Sequence, residues 1–152
     1  MRPARGRRRI VVGVDGSVPS KAALTWAIAQ ARLTGAVVEA VIAWEFPAMT
    51  GYPVLSADVD WEGLAGKVLA DAVGDVAGAS AGPAGIESKV MRGNAAQVLV
   101  GESAGADLLV VGSRGHGGFV EALLGSTGQH CVHHANCPVV VIRGPAGGGD
   151  PE

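Results

Sequence analysis

The apolar residues of the chain follow two patterns, one of continuous runs and one of regular spacing. Short continuous runs rich in Val, Ile, Leu and Ala are typical of strands that are buried on both faces of a sheet. Together with one alternating segment, they predict five strands, over residues 9–14, 36–44, 86–91, 107–111 and 138–142. The alternation of apolar and polar positions at residues 86–91 indicates a strand at the edge of the sheet.

Between the strands, apolar positions recur every three or four residues, the spacing that gathers them on one face of a helix. Four helices are predicted: one capped by Ser17 or Ser20 and ended by Gly35, and others over residues 61–76, 95–104 and about 119–134. Asn94 is a candidate N-cap of the third helix. Strands that alternate with helices predict right-handed crossovers and therefore a parallel sheet.

The predicted fold is a single α/β domain, a doubly wound five-stranded parallel sheet with helices on both faces and a Rossmann-like arrangement. A length of 152 residues suits one hydrophobic core. Aromatic residues make up only 4% of the chain, so the core must consist mainly of aliphatic side chains. The domain is predicted over residues 9–143, after an Arg-rich flexible arm at residues 1–8 and before a Gly/Pro-rich disordered tail at residues 144–152.

Charge is distributed unevenly along the chain, although the net charge is only −2. Five of the twelve basic residues are arginines within the first nine positions: Arg2, Arg5, Arg7, Arg8 and Arg9. The remainder has seven basic against fourteen acidic residues, a balance that disfavours nucleic-acid binding. The arginine-rich run either contacts nucleic acid or an anionic membrane or is a solvated tail, and its shortness favours the tail. We therefore expect neither nucleic acid nor a membrane as a partner.

Cysteine spacing and hydropathy bear on the cellular compartment. Cys131 and Cys137 lack the C-x-x-C spacing of a redox or zinc site. No apolar segment follows the basic start as in a secretory leader, and no run of about 18 uncharged apolar residues is present to span a bilayer. The sequence predicts a soluble, cytoplasmic protein.

A group of histidines and cysteines near the end of the fourth helix raises the alternative of a zinc site: His130, Cys131, His133, His134 and Cys137. His130 and His134 are four residues apart and would share one helix face. Histidines also interact favourably with the carboxyl end of a helix, and a cysteine before a strand is commonly a small buried residue. We favour these structural roles and predict no metal site.

Two turns are candidates for ligand binding, because ligands of parallel sheets bind beyond the carboxyl ends of the strands, where the strand order reverses. Residues 15–17 follow the first strand and residues 112–118 follow the fourth. Glycines in the second turn let backbone N–H groups approach an anion, and the next helix directs its positive amino end to the same place. This arrangement predicts a phosphate cradle, although glycine makes up 24 of 152 residues and turns use it in any case.

The spacing beyond the second turn is more specific. Gly112-x-x-Gly115, followed by nine residues and then Gly125-Ser126, resembles the ATP-binding pattern of the nucleotide-binding branch of the universal stress proteins. The similarity covers nearly the whole chain and includes residues 10–17, 110–115 and 137–142.

This resemblance implies an adenine nucleotide alpha hydrolase-like fold and a bound ATP or related adenine nucleotide, with or without Mg²⁺. It further implies a stress-response regulator or sensor that acts on an unidentified regulatory protein partner. Members of the family commonly dimerise through the fifth strand, and residues 138–142 are too apolar for a bare sheet edge. We therefore expect a homodimer through residues 138–142.

The resemblance assigns the adenosine part of the ligand to residues at the ends of the first three strands. Asp15 matches a carboxylate that faces the ribose or the adenine amine, and its alternative role is a turn residue that caps the next helix. Val41 matches an apolar adenine contact, and its alternative is ordinary strand core. Met91 and Gly93 match a segment that lies along the nucleotide, with Arg92 as a charge partner.

The resemblance assigns the phosphate part to the glycine-rich segment, through Gly112, Gly115, Gly125 and Ser126, the guanidinium of Arg114 and the hydroxyl of Thr127. In the predicted fourth helix Gly125 is an interior residue, where glycine costs about 1 kcal/mol relative to alanine. Either the close approach of a ligand or a break in the helix would explain it, and we favour the ligand. Ser126 has the alternative role of a helix hydroxyl bonded to its own preceding turn.

Three functions are open on this basis: a nucleotide-binding regulator, a slow ATP hydrolase or phosphotransferase, and an interaction module that has lost its ligand. Hydrolysis needs a positioned base and usually a carboxylate that holds a metal. Asp15, His116 and Glu121 are available, but the chain has no Walker lysine and no kinase-like set of residues. The intact glycine pattern argues against the third function. We predict a regulator with at most weak ATPase activity and no catalytic residues.

Overall fold

A computed structural model describes residues 8–45, 59–77, 85–113 and 125–143. Strands and helices alternate along them: β1 Arg9–Gly13, α1 Val18–Thr34, β2 Val37–Trp44, α2 Trp61–Ala77, β3 Ile86–Arg92, α3 Ala95–Glu102, β4 Leu108–Gly112, α4 Ser126–His134 and β5 Val139–Ile142. Each strand agrees with its predicted bounds to within one residue at either end. Across this part of the chain, no helix is both long and apolar enough to cross a membrane.

The five strands form one sheet in the order β3-β2-β1-β4-β5, and every neighbouring pair is parallel. The chain builds outward from β1 to β3 and then returns to the other side of β1 with β4 and β5. The strand order therefore reverses between β1 and β4. The predicted doubly wound sheet is confirmed, as is the edge position of β3.

Helices cover both faces of the sheet, and the pleat of each strand divides its side chains between two cores. On β1, Ile10 and Val12 pack in the core beneath α1 and α2, whereas Val11 packs in the core beneath α3 and α4. Alanines line the inner side of α1, so this helix lies close to the sheet. Both cores are built mainly from aliphatic side chains, in accordance with the low aromatic content.

The predicted helix boundaries depend on capping residues that the structure confirms. The Ser17 hydroxyl accepts a hydrogen bond from the Ser20 amide at 3.3 Å and caps α1. Gly35 ends α1 with a φ of 80°, a left-handed conformation that favours glycine, and its amide donates to the Ala31 carbonyl. Asn94 caps α3 by accepting from the Gln97 amide at 3.1 Å.

The position of Gly125 differs from the prediction. Gly125 is the N-cap of α4, with an extended backbone at φ −72° and ψ 170°, and Ser126 is the first helical residue. The prediction that Gly125 lies inside a helix is therefore wrong, and the energetic argument based on an interior glycine does not apply. The extended conformation accompanies a hydrogen bond from the Gly125 amide to the Ser113 carbonyl, a contact that local periodicity does not reveal.

Arg9 does not behave as part of a solvated arginine run. It begins β1, and its Nη1 atom lies 2.8 Å from Oε1 of Glu39, which is only 2% exposed on β2. Lys89 on β3 lies 3.1 Å from the other oxygen of Glu39 and 3.0 Å from Glu102. Burial alone raises the pKa of Glu39, but the charged Lys89 and Arg9 side chains beside its carboxylate outweigh burial and hold that pKa below its usual value.

Candidate functional site

The candidate site lies at the carboxyl edge of the sheet, where β1 and β4 are neighbours. Val12 is in register with Val110, so the segment after Gly13 and the segment after Gly112 leave the sheet side by side. This is the point where the strand order reverses, the usual location of ligands in open parallel sheets. Both turns singled out in the sequence start from this edge.

Asp15 is half-buried in the turn between β1 and α1. Its Oδ1 atom accepts hydrogen bonds from the Ser17 amide at 2.9 Å and from the Ser17 hydroxyl at 2.5 Å. The Asp15 amide donates to the Ser20 hydroxyl at 3.2 Å. The N-cap of α1 is Ser17 and not Asp15, so the alternative in which Asp15 itself caps the helix is wrong. Asp15 supports the capping residue, at the same edge as the end of β4.

The amino end of α4 is held next to the end of β4. The Gly125 amide donates to the Ser113 carbonyl at 2.7 Å, and the Ser113 amide donates to the Ile142 carbonyl at 2.9 Å. No side chain caps α4 at Gly125. The first N–H groups of a helix have no partner within the helix, so this end is a natural position for an anion.

Ser126 and Thr127 are the first two residues of α4, with Ser126 exposed and Thr127 half-buried. Ser126 starts α4, so the expectation that it lies inside the helix is wrong. The residues before Gly125, to which its hydroxyl would bond, lie outside the described residues, so that alternative role stays a prediction. The structure thus brings Gly125, Ser126 and Thr127 to the same edge as Gly112 and Asp15.

Val41 is a core residue of β2, only 1% exposed and packed in the cluster that includes Leu99 and Met91. Its carbonyl accepts a hydrogen bond from the Val14 amide at 2.8 Å, which ties β2 to the end of β1. Its side chain therefore has the ordinary core environment that was its alternative role. Met91 is half-buried on β3 and packs against the same cluster.

Gly93 follows β3 at the same edge and has a φ of 138°, a backbone conformation that residues other than glycine rarely adopt. Its amide donates to the Trp44 carbonyl at 2.7 Å, which extends the pairing of β3 with β2 by one hydrogen bond. The guanidinium of Arg92 lies 5.7 Å from the ring centroid of Trp44, within the range of a cation–π contact. Backbone geometry alone thus accounts for the glycine at position 93.

Arg114 and Gly115, two residues of the predicted phosphate cradle, lie outside the described residues. The other predicted site residues follow β1 or β3, lie on β2, β3 or β4, or cap and begin α4. Sequence reasoning missed Ser113, whose carbonyl positions Gly125, and Trp44, which Arg92 contacts. Ser113 lies inside the glycine motif, so its position was the available signal. Trp44 has no motif to mark it.

The histidine and cysteine group divides between core and surface. Cys131 is a fully buried residue of α4, and burial raises the pKa of its thiol to about 11. Burial also raises the pKa of the half-buried Cys137. The rings of His130 and His134 lie 4.5 Å apart between centroids. Across the described ranges, no three His, Cys, Asp or Glu side chains are arranged to hold a metal ion.

Comparison with curated proteins finds relatives of similar sequence that share one name. A universal stress protein of Mycolicibacterium smegmatis is 32% identical over 145 residues, which are 89% of this chain and 48% of that protein. The universal stress protein Rv2623 of Mycobacterium tuberculosis is 33% identical over 139 residues, or 88% of this chain and 47% of that protein. The chain thus spans about half the length of the curated relatives it matches.

Solved structures agree in fold. UspA of Lactobacillus plantarum superposes with a TM-score of 0.74 at 24% identity, covering 91% of this chain and 100% of that one. A universal stress protein in complex with cAMP has a TM-score of 0.56 at 26% identity, covering 89% and 95%. An Arabidopsis thaliana family protein with AMP bound has a TM-score of 0.61 at 19% identity, covering 95% and 97%.

A family model also matches most of the sequence. It describes the universal stress protein family and matches residues 6–143, which include every strand and helix described above. Together with relatives above 30% identity across most of the chain, this match identifies the family. The chain belongs to the universal stress protein family.

Proposed function

We propose that the chain binds an adenine nucleotide, ATP by preference and with or without Mg²⁺, at the carboxyl edge between β1 and β4. The observation that carries the proposal is the 2.7 Å hydrogen bond from the Gly125 amide to the Ser113 carbonyl. It holds the positive amino end of α4 beside the end of β4, where the strand order reverses. Two similar proteins whose structures hold cAMP and AMP support an adenine nucleotide as the ligand class.

The proposed ligand lies across the edge with its phosphates toward α4. Ser126 and Thr127 donate their N–H groups and hydroxyls to the phosphates, and Gly112, Arg114 and Gly115 complete the cradle. A phosphate gains from this position because Gly125, the N-cap of α4, has no side chain that would occupy the first N–H groups of the helix.

The adenosine is proposed to lie toward β1, β2 and β3. Asp15 accepts from the ribose or the adenine amine while it continues to hold Ser17. Val41 is the proposed apolar contact of the adenine. The segment from Met91 to Gly93 lies along the nucleotide. All these residues are on strands that adjoin in the sheet or directly follow them.

The proposed biological role is regulation of a stress response in the cytoplasm through an unidentified protein partner. Nucleotide occupancy sets the conformation or the association state, and hydrolysis is slow or absent. Of the residues considered for catalysis, His116 and Glu121 lie outside the described residues, and Asp15 is described, with its carboxylate accepting from the Ser17 amide and hydroxyl in the turn before α1. A homodimer through β5, at the second edge of the sheet, is part of the same proposal.

The test is calorimetric titration of ATP, ADP, AMP, cAMP and tripolyphosphate into the full chain, after measurement of any nucleotide that copurifies. Ser126→Ala and Thr127→Ala should each weaken ATP by about 1.5–3 kcal/mol, because each removes a hydrogen bond to a charged group. Both should affect ATP and tripolyphosphate more than AMP.

Thr25→Ala is the matched control, because Thr25 is an exposed helical hydroxyl on α1 that bonds only the Lys21 carbonyl among the described residues. It should leave every affinity unchanged. Equal ATP affinity in Ser126→Ala, Thr127→Ala and Thr25→Ala would remove the proposed phosphate site. Release of ADP and phosphate at about 1 s⁻¹ would favour the hydrolase instead.

A further inference from the structure

The carboxyl half of α4 presents two imidazoles side by side. His130 and His134 are one helical turn apart, and their ring centroids are 4.5 Å apart with an angle of 38° between the ring planes. His130 is half-buried and His134 is exposed. Residues four apart on a helix share a face, so rotation of the side chains is enough to direct one nitrogen of each ring toward a common point.

Within the ranges that the structure describes, the hydrogen bonds include no imidazole of α4. The pair also lies at the carboxyl end of the helix, where the helix dipole and the last carbonyl groups favour a positive charge. Two imidazoles at the negative end of a helix are a suitable environment for a cation that prefers nitrogen ligands.

We propose that His130 and His134 chelate one divalent transition-metal ion from solution. Imidazole is a ligand that Zn²⁺, Ni²⁺ and Cu²⁺ accept, with Cu²⁺ expected to bind most strongly and Mg²⁺ hardly at all. The described residues supply no third ligand, so water completes the coordination and the ion remains exchangeable. The site therefore differs from a closed structural zinc site, and from the sequence-based expectation that this segment holds no metal.

The cysteines of the same segment are not part of this site. Cys131 is fully buried in the core between α4 and the sheet, on the inner side of the helix. Cys137 packs against the same core after the helix has ended. The zinc cluster considered from the sequence grouped these cysteines with the histidines, whereas the structure places Cys131 in the core and leaves the i,i+4 pair of His130 and His134 on the helix.

The test titrates Cu²⁺, Zn²⁺, Ni²⁺ and Mg²⁺ into the full chain, free of any polyhistidine tag, with calorimetry and thermal unfolding as two readouts. We expect one equivalent of Cu²⁺ to bind and to raise the Tm, because a ligand that binds only the folded state stabilises it. His130→Asn and His134→Asn should each weaken Cu²⁺ binding at least tenfold and abolish the rise in Tm.

Two matched controls separate this site from other donors. His133→Asn changes a neighbouring exposed histidine whose ring is 6.3 Å from that of His134, and it should leave Cu²⁺ affinity within about twofold. Cys137→Ser should do the same. Equal weakening by His133→Asn and His134→Asn, or an unchanged affinity in His130→Asn, would overturn the proposal, as would the absence of Cu²⁺ binding to the unaltered chain.

Discussion

Gly112 packs against the backbone of Pro19 so closely that a β-carbon at residue 112 would lie 2.7 Å from the Pro19 carbonyl carbon. Pro19 belongs to the first turn of α1, and Gly112 is the last residue of β4. The glycine at this position is therefore required by the packing of a helix against the sheet, in addition to any role in approaching a phosphate. A backbone neighbour cannot move aside as a flexible side chain can.

We expect Gly112→Ala to lower the free energy of unfolding by about 1–3 kcal/mol through this overpacking. Urea unfolding followed by circular dichroism measures the change. Gly74→Ala is the matched control, since Gly74 lies inside α2 with no heavy atom within 4 Å of a β-carbon. It should raise stability by about 1 kcal/mol, because alanine is the better helix former. Equal effects of the two changes would contradict the packing argument.

Asp15 should affect both folding and ligand binding. Asp15→Ala removes the acceptor of the Ser17 amide and hydroxyl, so the free energy of unfolding should fall by about 1 kcal/mol. If the proposed adenosine contact exists, ATP and AMP should also bind about 1–3 kcal/mol more weakly, with little change for tripolyphosphate. Urea unfolding and calorimetry measure the two effects.

Ser17→Ala is the comparison that separates these effects, because it removes the cap of α1 and leaves the carboxylate in place. It should lower stability by about 1 kcal/mol and leave nucleotide affinity nearly unchanged. If Ser17→Ala and Asp15→Ala weaken AMP equally, Asp15 acts only through the turn and its proposed contact with the adenosine is wrong.

The buried carboxylate of Glu39 should make stability depend on acid pH. Its folded pKa is below the usual 4.5, so its stabilising contribution is present above pH 4.5 and is lost as the pH falls through the folded pKa. Glu39→Gln should lower the free energy of unfolding at pH 7 by about 1–3 kcal/mol, less than for fully buried ion pairs because the Arg9 and Lys89 side chains are 29% and 45% exposed.

The difference between Glu39→Gln and the unaltered chain should shrink as the pH is lowered from 7 to 3 in urea unfolding experiments. Asp71→Asn is the control, because Asp71 pairs with Lys67 at 3.7 Å with both side chains well exposed. This change should have no measurable effect at either pH. A constant difference for Glu39→Gln across this range would show that its charge is not what stabilises the fold.

The two thiols should differ sharply in reactivity. Cys131 is fully buried with a pKa of about 11, whereas Cys137 is half-buried. Iodoacetamide at pH 8 should therefore alkylate Cys137 first and Cys131 only through unfolding, and in concentrated urea both should react at similar rates. Mass spectrometry of peptides measures both sites. Faster alkylation of Cys131 in the folded chain would contradict its burial.

The proposed homodimer should depend on the backbone of β5. The Leu109 amide donates to the Pro138 carbonyl, and the Ser113 amide donates to the Ile142 carbonyl. Alternate residues of β5 therefore bond to β4, and the N–H and C=O groups of Val141 point away from β4, toward the open edge of the sheet. Val141→Pro should then leave the sheet intact but convert the dimer to a monomer in light scattering.

Val132→Lys provides the contrast for this dimer, because Val132 is an exposed apolar residue on α4 and lies outside the sheet edge. It should leave the dimer unchanged. A monomer at micromolar concentration for the unaltered chain would refute the dimer itself, and dissociation by Val132→Lys alone would move the contact from β5 to the α4 surface.

The sequence was sufficient for most of the fold because its signals are local. Continuous apolar runs fixed the strands, and the capping residues Ser17, Gly35 and Asn94 fixed the ends of helices. Gly125 was misplaced because its extended backbone accompanies a hydrogen bond to Ser113, twelve residues away along the chain. Arg9 was grouped with its arginine neighbours because its partner Glu39 lies thirty residues further on.

The location of the candidate site at one edge of the sheet could be predicted from the sequence. The packing of its individual residues could not. Composition and spacing located Asp15, Gly112 and Gly125 at the carboxyl edge, and the topology places them there. They could not show that Gly112 is pressed against Pro19 or that Val41 is fully enclosed, because both facts depend on packing between distant segments. For these two residues, packing alone accounts for the residue type.

The pairing of β1 with β4 also has a consequence for how the chain is made. The amide of Arg9 reaches the carboxylate of Asp107, 98 residues later, and the neighbouring residues of β1 and β4 are paired across the middle of the sheet. Contacts this distant in sequence slow folding, because a long loop must close first. While a ribosome is still synthesising the chain, β1 therefore keeps one edge open until residues 108–110 of β4 have emerged. A nascent chain at that stage has an apolar strand edge in its centre, the kind of surface on which chaperones act and misassembly begins.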